Sequence, residues 1–215
     1  MDLPENEIIC GDCLEVMKDW PDNCVDLVLT DPPYGMNYLS NHYKHGNPHA
    51  KIVNDDKFPL DALQEMFRIA RHGVFSFCRW DNLRDIPKPK SFLAWIKNNW
   101  TAGDLEHEYG RQWEGIAFWP QEEHKFNTRP PDVFNFTRIP STQLNHPTEK
   151  PVNLLEVILK DNVGDIILDP FCGSGSTLLA AERLGRRWIG IEISSEYCKI
   201  AQERIDRERA QIKMF

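Results

Sequence analysis

The four residues Asp31-Pro32-Pro33-Tyr34 close an apolar run and combine groups that could orient an amine. Two consecutive prolines remove two backbone donors and fix φ twice, so the chain leaves the preceding element stiffly. The Asp31 carboxylate and the Pro32 carbonyl could accept hydrogen bonds from both N–H groups of an exocyclic amine. Such bonds favour a tetrahedral nitrogen, whose lone pair is then free to attack. Tyr34 could stack on the ring that carries the amine.

A second motif, Phe171-Cys172-Gly173-Ser174-Gly175, follows Asp169-Pro170 at the end of another apolar run. Its glycines would let the backbone approach a ligand where a Cβ would collide. Glu192 lies 17 residues after Gly175, where its carboxylate could accept hydrogen bonds from ribose hydroxyls. The plainer interpretation is a simple glycine turn followed by a glutamate on the protein surface. A dinucleotide site is the rival one, but Leu178 occupies the place of the third fingerprint glycine.

Together the two motifs resemble those of the amino-group DNA methyltransferases, which use S-adenosylmethionine. The catalytic motif precedes the cofactor motif, as in the permuted β class of that family. The resemblance implies a Rossmann-like, doubly wound sheet, with DNA and S-adenosylmethionine as partners. It also implies that Asp31, Pro32, Pro33 and Tyr34 act on a base flipped out of the duplex. The family links Asp at the first motif position with adenine N6 and Ser with cytosine N4, so Asp31 favours adenine.

Supporting segments extend the resemblance over residues 8–205. In His146-Pro147-Thr148-Glu149-Lys150-Pro151, the family pattern assigns His146, Thr148 and Lys150 to the methionine carboxylate of the cofactor. Asp12, before Cys13, would accept a hydrogen bond from the cofactor's adenine, although alone it would be read as a turn residue. Residues 95–105 resemble a late catalytic-domain motif. The predicted cofactor site comprises Asp12, Cys13, His146, Thr148, Lys150, Asp169, Phe171, Gly173, Ser174, Gly175 and Glu192.

Four other interpretations stay open on the sequence. The acceptor could be cytosine N4, or the substrate could be RNA. The chain could also be a catalytically inactive nucleic-acid-binding paralogue, although such proteins usually lose one of the two motifs. Cys10-Gly11-Asp12-Cys13 has the spacing of a redox or zinc pair, but no second pair completes a tetrahedral zinc site. We therefore expect no metal.

The elements that must position these residues alternate along the chain. Strands are predicted at 7–10, 25–30, 74–78, 92–96, 115–119, 165–168 and 187–193. Helices are predicted at 14–20, over Leu60, Leu63, Phe67 and Ala70, at 152–160, and from about Ser176 and Ser194 onward. This alternation predicts an α/β fold with a doubly wound, mostly parallel sheet. Five of the seven tryptophans fall in the irregular segment 79–140 and are expected to be mostly core residues.

The bulk properties fit one catalytic domain over residues 1–215. Residues 36–57 and 79–140 are predicted to hold a small target-recognition region, to which a homodimer could add surface. The net charge of −8 arises in residues 1–35, which hold nine acidic and one basic residue. The rest of the chain is near neutral, which permits DNA binding. No apolar run reaches the roughly 18 residues of a membrane span, and the N-terminus does not resemble a signal peptide, so a cytoplasmic location is expected.

Overall fold

The computed structural model describes residues 3–36, 56–101, 106–107, 109–139 and 149–212. Its strands are β1 (Glu7–Cys10), β2 (Val25–Thr30), β3 (Ala70–Cys78), β4 (Ser91–Thr101), β5 (Arg111–Pro120), β6 (Val133–Asn135), β7 (Ile166–Asp169) and β8 (Arg187–Glu192). Its helices are α1 (Cys13–Met17), α2 (Leu60–Ile69), α3 (Val152–Asp161), α4 (Ser176–Arg183) and α5 (Ser195–Ile212), with a short 3₁₀ helix at Trp80–Arg84.

The described strands form one eight-stranded sheet in the order β1-β8-β7-β2-β3-β5-β4-β6. Strand β5 runs antiparallel to β3 and β4, while the pairings β1–β8, β8–β7, β7–β2, β2–β3 and β4–β6 are parallel. From β2 the chain proceeds to β3, and from β7 it proceeds to β8 on the opposite side. The topological switch point therefore lies between β2 and β7, which is where ligands bind in open α/β sheets. The predicted fold class is confirmed.

The sheet is covered on both faces. Helices α3 and α4, with Ile205 of α5, pack on one face, where Leu154, Leu178 and Trp188 are fully buried. Helices α1 and α2 pack on the other, where Met17 and Met66 are buried. Strand β2 is buried along its whole length because it lies near the middle of the sheet, with helices packed on both faces. The site at its end is consequently attached to a fully buried strand.

Helix α2 differs from the predicted pattern at both of its ends. Its buried stripe is Ala62, Leu63, Met66 and Ile69, whereas Leu60 is exposed. Residue Ala70, predicted to lie in the helix, begins β3, which continues through the glycine expected to precede it. A Cβ at Gly73 would lie 2.9 Å from a ring carbon of Phe118 and 3.0 Å from the Trp119 carbonyl oxygen. Glycine here permits the close approach of β5 and does not mark a turn.

The segment 79–140 is more regular than its composition indicates. It contributes β4, β5 and β6 to the main sheet, and β6 was absent from the predicted strands. Trp95 and Trp119 are core residues, but Trp80 is 65% exposed and Trp113 is also exposed. The predicted loop at 36–57 lies almost entirely outside the described residues. No helix in the described part of the chain has the length and apolar character needed to cross a membrane.

Candidate active site

The two motifs meet at the switch point of the sheet. Asp31 directly follows β2 and Asp169 ends β7, and the Thr30 hydroxyl donates a 2.7 Å hydrogen bond to Asp169 Oδ1 across the two strands. A cavity of about 50 Å³ lies beside this bond. Its lining combines residues of both motifs with the start of the 149–155 segment: Asp31, Phe77, Glu149, Lys150, Leu155, Asp169, Phe171, Cys172, Gly173, Ser174, Ser176 and Thr177.

The Asp31 carboxylate has a partner on each oxygen. Tyr34 donates its hydroxyl hydrogen to Oδ1, and the Lys150 ammonium lies 2.5 Å from Oδ2. Burial raises the pKa of Asp31, and the charge of Lys150 opposes that rise. Since a carboxylate offers about four lone-pair positions, two remain for a further donor. The group can therefore accept hydrogen bonds from an incoming amine without losing either partner.

Lys150 lies at the centre of a buried set of charges. Besides Asp31, its ammonium lies 3.4 Å from Glu114 Oε2 on β5, and Glu114 Oε1 accepts a hydrogen bond from Lys97 on β4. The side chains of Lys150 and Lys97 are each only 7% exposed. Sequence reasoning did not single out Glu114 or Lys97 as site residues. Their proximity to Asp31 depends on the pairing of β4 with β5, which cannot be recognised from a local sequence motif.

Tyr34 is half-buried and packs against the core, with its ring 5.8 Å from the Lys150 ammonium. Asn82, in the 3₁₀ helix, donates a 3.0 Å hydrogen bond from its side-chain amide to the Tyr34 carbonyl oxygen. The Asn82 oxygen accepts from the Arg79 backbone amide. The segment 31–34 is thereby tied to the segment after β3, a contact that the sequence did not reveal.

Asp169 organises the loop between β7 and α4 through its hydrogen bonds. Its carboxylate accepts from the Thr30 hydroxyl, from the Phe171 backbone amide at 3.1 Å and from the Thr177 side chain. Burial raises its pKa from the ordinary 3.8 to about 6, and these hydrogen bonds only partly offset the effect. Asp169 thus joins β2 to the loop between β7 and α4, and lies at the wall of the cavity.

The two motif glycines both adopt left-handed backbone conformations, with φ of 49° at Gly173 and 82° at Gly175. The expected reason for Gly175 was close approach to a ligand. In the structure a Cβ there would instead lie 3.0 Å from Ala201 Cβ on α5. Gly175 is therefore required by its backbone conformation and by helix packing.

Ser174 is buried and already has protein partners. Arg204 of α5 donates to its hydroxyl at 2.9 Å and to its carbonyl oxygen at 2.6 Å. The same guanidinium forms a 2.6 Å ion pair with the buried Glu149. Arg204 therefore holds the loop between β7 and α4 against the segment that carries Lys150, a role that nothing in its local sequence indicated.

Glu192 and Asp12 lie at adjacent strand ends, because β8 pairs with β1. Glu192 accepts 2.9 Å hydrogen bonds from the backbone amides of Gly173 and Ser194, and burial raises its pKa. Asp12 is exposed and caps α1 through Oδ1, which accepts from the Leu14 amide at 2.8 Å. Both carboxylates keep acceptor positions toward a ligand.

The remaining predicted residues are placed differently. Cys13 is buried in the core, and burial raises its pKa to about 12, so its side chain packs as a small hydrophobe. Phe171 is partly buried on the same side of the sheet. His146 and Thr148 lie outside the described residues. Pro32 is buried and Pro33 half-buried at the end of β2, as a stiff exit requires.

A larger cavity, of about 380 Å³, lies apart from Asp31 between α3 and the β3–β6 part of the sheet. Its walls are mostly aromatic and aliphatic, with Arg129, Asp132 and Asp161 among them. Size alone would favour it as the ligand site. The smaller cavity is the better candidate because it unites both motifs and the perturbed carboxyls.

Comparison with known proteins identifies the family of this chain. A family model described as DNA methylase, for the N6/N4 enzymes, matches residues 84–203. The putative methylase YubD of Escherichia coli (strain K12) is 31% identical over 218 residues, covering 93% of this chain and 90% of the relative. The DNA adenine methyltransferase YhdJ of the same strain is 27% identical, covering 93% and 82%.

Among solved structures, the M1.HpyAVI–SAM complex is similar with a TM-score of 0.67 and 25% identity, covering 92% of this chain and 98% of that chain. The matches to YubD and to this structure extend over nearly the whole chain. The chain therefore belongs to the N6/N4 DNA methylase family.

Proposed function

We propose that this protein transfers a methyl group from S-adenosylmethionine to N6 of adenine in DNA. The observation that carries the proposal is the meeting of Asp31-Pro32-Pro33-Tyr34 with the Asp169–Gly175 loop at the switch point. This arrangement brings an amine-orienting carboxylate beside a loop suited to a nucleoside ligand. Family membership makes DNA methylation the reaction class.

The residues at the strand ends suit S-adenosylmethionine. Glu192 is a partly buried carboxylate whose hydrogen bonds in the described structure come from backbone amides, so it can accept more from ribose hydroxyls. Asp12 is exposed beside it and can accept from an adenine amino group. When bound, the cofactor supplies an electrophilic methyl group on a positively charged sulfur. No metal or redox step is needed for this transfer.

The chain's own contribution is to orient and desolvate the amine. An exocyclic amine is a poor nucleophile because its lone pair is delocalised into the ring. Asp31 accepts a hydrogen bond from one N–H of the amine, and the Pro32 carbonyl accepts a hydrogen bond from the other. Together these bonds direct the lone pair out of the ring plane. Much of the rate acceleration comes from this positioning. The nitrogen loses its proton after methylation, since the ammonium formed is strongly acidic, and a strong base is not required.

The target base must leave the duplex to reach Asp31, which is half-buried at the end of β2. We infer that Tyr34 stacks on the flipped base. Its ring adjoins Asp31, and Asn82 fixes its backbone. The Tyr34 hydroxyl keeps one Asp31 oxygen oriented while the amine approaches.

Two observations support adenine over cytosine. The motif begins with Asp31 where the cytosine enzymes of the resembled class carry Ser, and one relative over most of the chain is named an adenine methyltransferase. Cytosine N4 is the second candidate because the same family model describes both classes. The chemistry at the amine would be the same, and only the shape of the base would differ.

Nucleoside analysis tests the proposal. DNA from a methylation-free host is incubated with the purified protein and S-adenosylmethionine carrying a deuterated methyl group, digested, and examined by mass spectrometry. Deuterated N6-methyladenine is expected, and it should be absent with Asp31→Ala. Deuterated N4-methylcytosine would replace the proposal by its second candidate, and DNA without any deuterated base would exclude DNA as substrate.

A further inference from the structure

The charges around Asp31 alternate in sign along a chain of contacts. Asp31 contacts Lys150, Lys150 contacts Glu114, and Glu114 contacts Lys97. Asp31 directly follows β2, Lys97 and Glu114 lie within β4 and β5, and Lys150 lies two residues before α3. The described part of this network is neutral overall when all four groups are ionised.

Such a network is costly to bury. Removing a charged group from water costs several kcal/mol even after relaxation, and apolar replacements of similar shape are often no less stable. The ammonium of Lys150 also lies 5.0 Å from the Phe77 ring, and that of Lys97 lies 5.1 Å from the Trp95 ring. Two lysines held between aromatic rings and carboxylates have little freedom to move. The network fixes where the positive charge beside Asp31 lies.

We propose that Glu114 and Lys97 are positioning residues for methyl transfer. Glu114 shares the Lys150 ammonium with Asp31, since its Oε2 lies 3.4 Å from the nitrogen that is 2.5 Å from Asp31 Oδ2, and it thereby anchors Lys150 through a second carboxylate. Lys97 holds Glu114 in place for that task. Lys150 therefore keeps one Asp31 oxygen oriented, while the charge of Glu114 offsets part of the effect of Lys150 on Asp31, so that the carboxylate retains acceptor strength for the target amine. The inference rests on the proposed function, because it assigns Asp31 to that amine.

The sign of the effect on Asp31 can be worked out for each residue. The negative charge of Glu114 raises the pKa of Asp31 and the positive charge of Lys150 lowers it. Loss of the Glu114 charge should therefore lower the pKa of Asp31, and loss of the Lys97 charge should raise it. The titratable or charged groups near Asp31 and Glu114 in the described structure are Tyr34, Cys78, Lys97, Lys150 and Asp169.

Two variants give opposite results under this proposal. Glu114→Gln keeps the shape of the side chain, and the acid limb of its kcat profile should move to lower pH by about one unit. Lys97→Met should move that limb to higher pH. Both should lower kcat at the plateau by roughly tenfold or more, since small misplacements at a reacting centre are costly. Binding of S-adenosylmethionine, measured by calorimetry, should stay within a few-fold of the wild type.

Glu182→Gln is the matched control. Like Glu114, Glu182 is a partly buried glutamate beside a basic side chain, since it accepts from Arg209 and also from the Trp188 indole, but it lies at the far end of α4. This variant should alter thermal stability and leave the acid limb unmoved. A purely structural role for Glu114 would make its variant behave in the same way.

A direct titration separates this proposal from the proposed function. The Asp31 carboxyl carbon is followed by NMR against pH in the wild type and the three variants, without cofactor or DNA. Opposite displacement of its pKa in the Glu114 and Lys97 variants supports the network even if adenine proves not to be the acceptor. Unmoved Asp31 titration, or acid limbs and plateau kcat unchanged in both variants, would overturn it.

Discussion

The variant Asp169→Asn measures how much the buried negative charge of Asp169 lowers the free energy of unfolding. The carboxyl of Asp169 is buried, and its pKa lies at about 6 in the folded protein against an ordinary 3.8. Because the folded-state value is the higher one, the protonated form stabilises the fold. That contribution is fully present below pH 3.8 and is lost as the pH rises through about 6.

The magnitude follows from the displacement of the pKa. Each pH unit is worth about 1.4 kcal/mol, so ionised Asp169 costs the folded protein about 3 kcal/mol at neutral pH. Asparagine retains an acceptor for the Thr30 hydroxyl and cannot ionise. The variant should therefore gain stability relative to the wild type as the pH rises from 4 to 7, by an amount of about that size.

Urea unfolding of both proteins at intervals between pH 4 and pH 7.5 measures this difference. Glu182→Gln serves as the opposite control, because Arg209 holds the pKa of Glu182 below its ordinary value. That variant should lose stability relative to the wild type as the pH rises. A pH-independent difference between Asp169→Asn and the wild type would refute the assignment of a raised pKa to Asp169.

Three further predictions concern the glycines, the ribose site and the target. Gly175→Ala should destabilise the protein more than Gly185→Ala, because both have positive φ but only Gly175 has a neighbour, Ala201, within contact distance of a new Cβ. Chemical denaturation checks this, and equal losses would contradict the packing argument. Glu192→Ala should weaken S-adenosylmethionine binding by about 1.5–3 kcal/mol in calorimetry, and unchanged affinity would place the ribose elsewhere. The target should span about two to four base pairs, since each bidentate base contact gives about 1–3 kcal/mol of discrimination and the small target-recognition region has few side chains that could make such contacts. Single-molecule sequencing of DNA from an expressing host maps it, and a strict longer site read by a monomer would disprove it.

Much of the fold was predictable because its signals are local. The buried run of β2, the short run of β7 and the glycines before α4 fall within a few residues of the positions expected. Helix α2 shows the limit of such reasoning, because its sequence allows two neighbouring apolar stripes. Packing against the sheet selected Ala62, Met66 and Ile69 over Leu60 and Ala70.

The site was predictable only where its residues belong to contiguous motifs. Asp31 and Asp169 were found from their own sequence surroundings, and their contact through Thr30 follows from the parallel pairing of β2 with β7. Glu114 and Arg204 were missed because they reach the site from elements distant in the chain. The packing of Gly175 against Ala201 could not be foreseen either, since only the position of α5 shows what a side chain there would meet.

Methyl transfer and cofactor binding measured together on Asp31→Ala test the central claim most directly. Asp31 is assigned to the target amine, while Glu192 and the loop after β7 are assigned to the cofactor. The variant should therefore lose transfer of labelled methyl to DNA and bind S-adenosylmethionine within a few-fold of the wild type. Retention of more than about a tenth of the activity would contradict the account, because an oriented acceptor of this kind should raise the rate by much more than about tenfold.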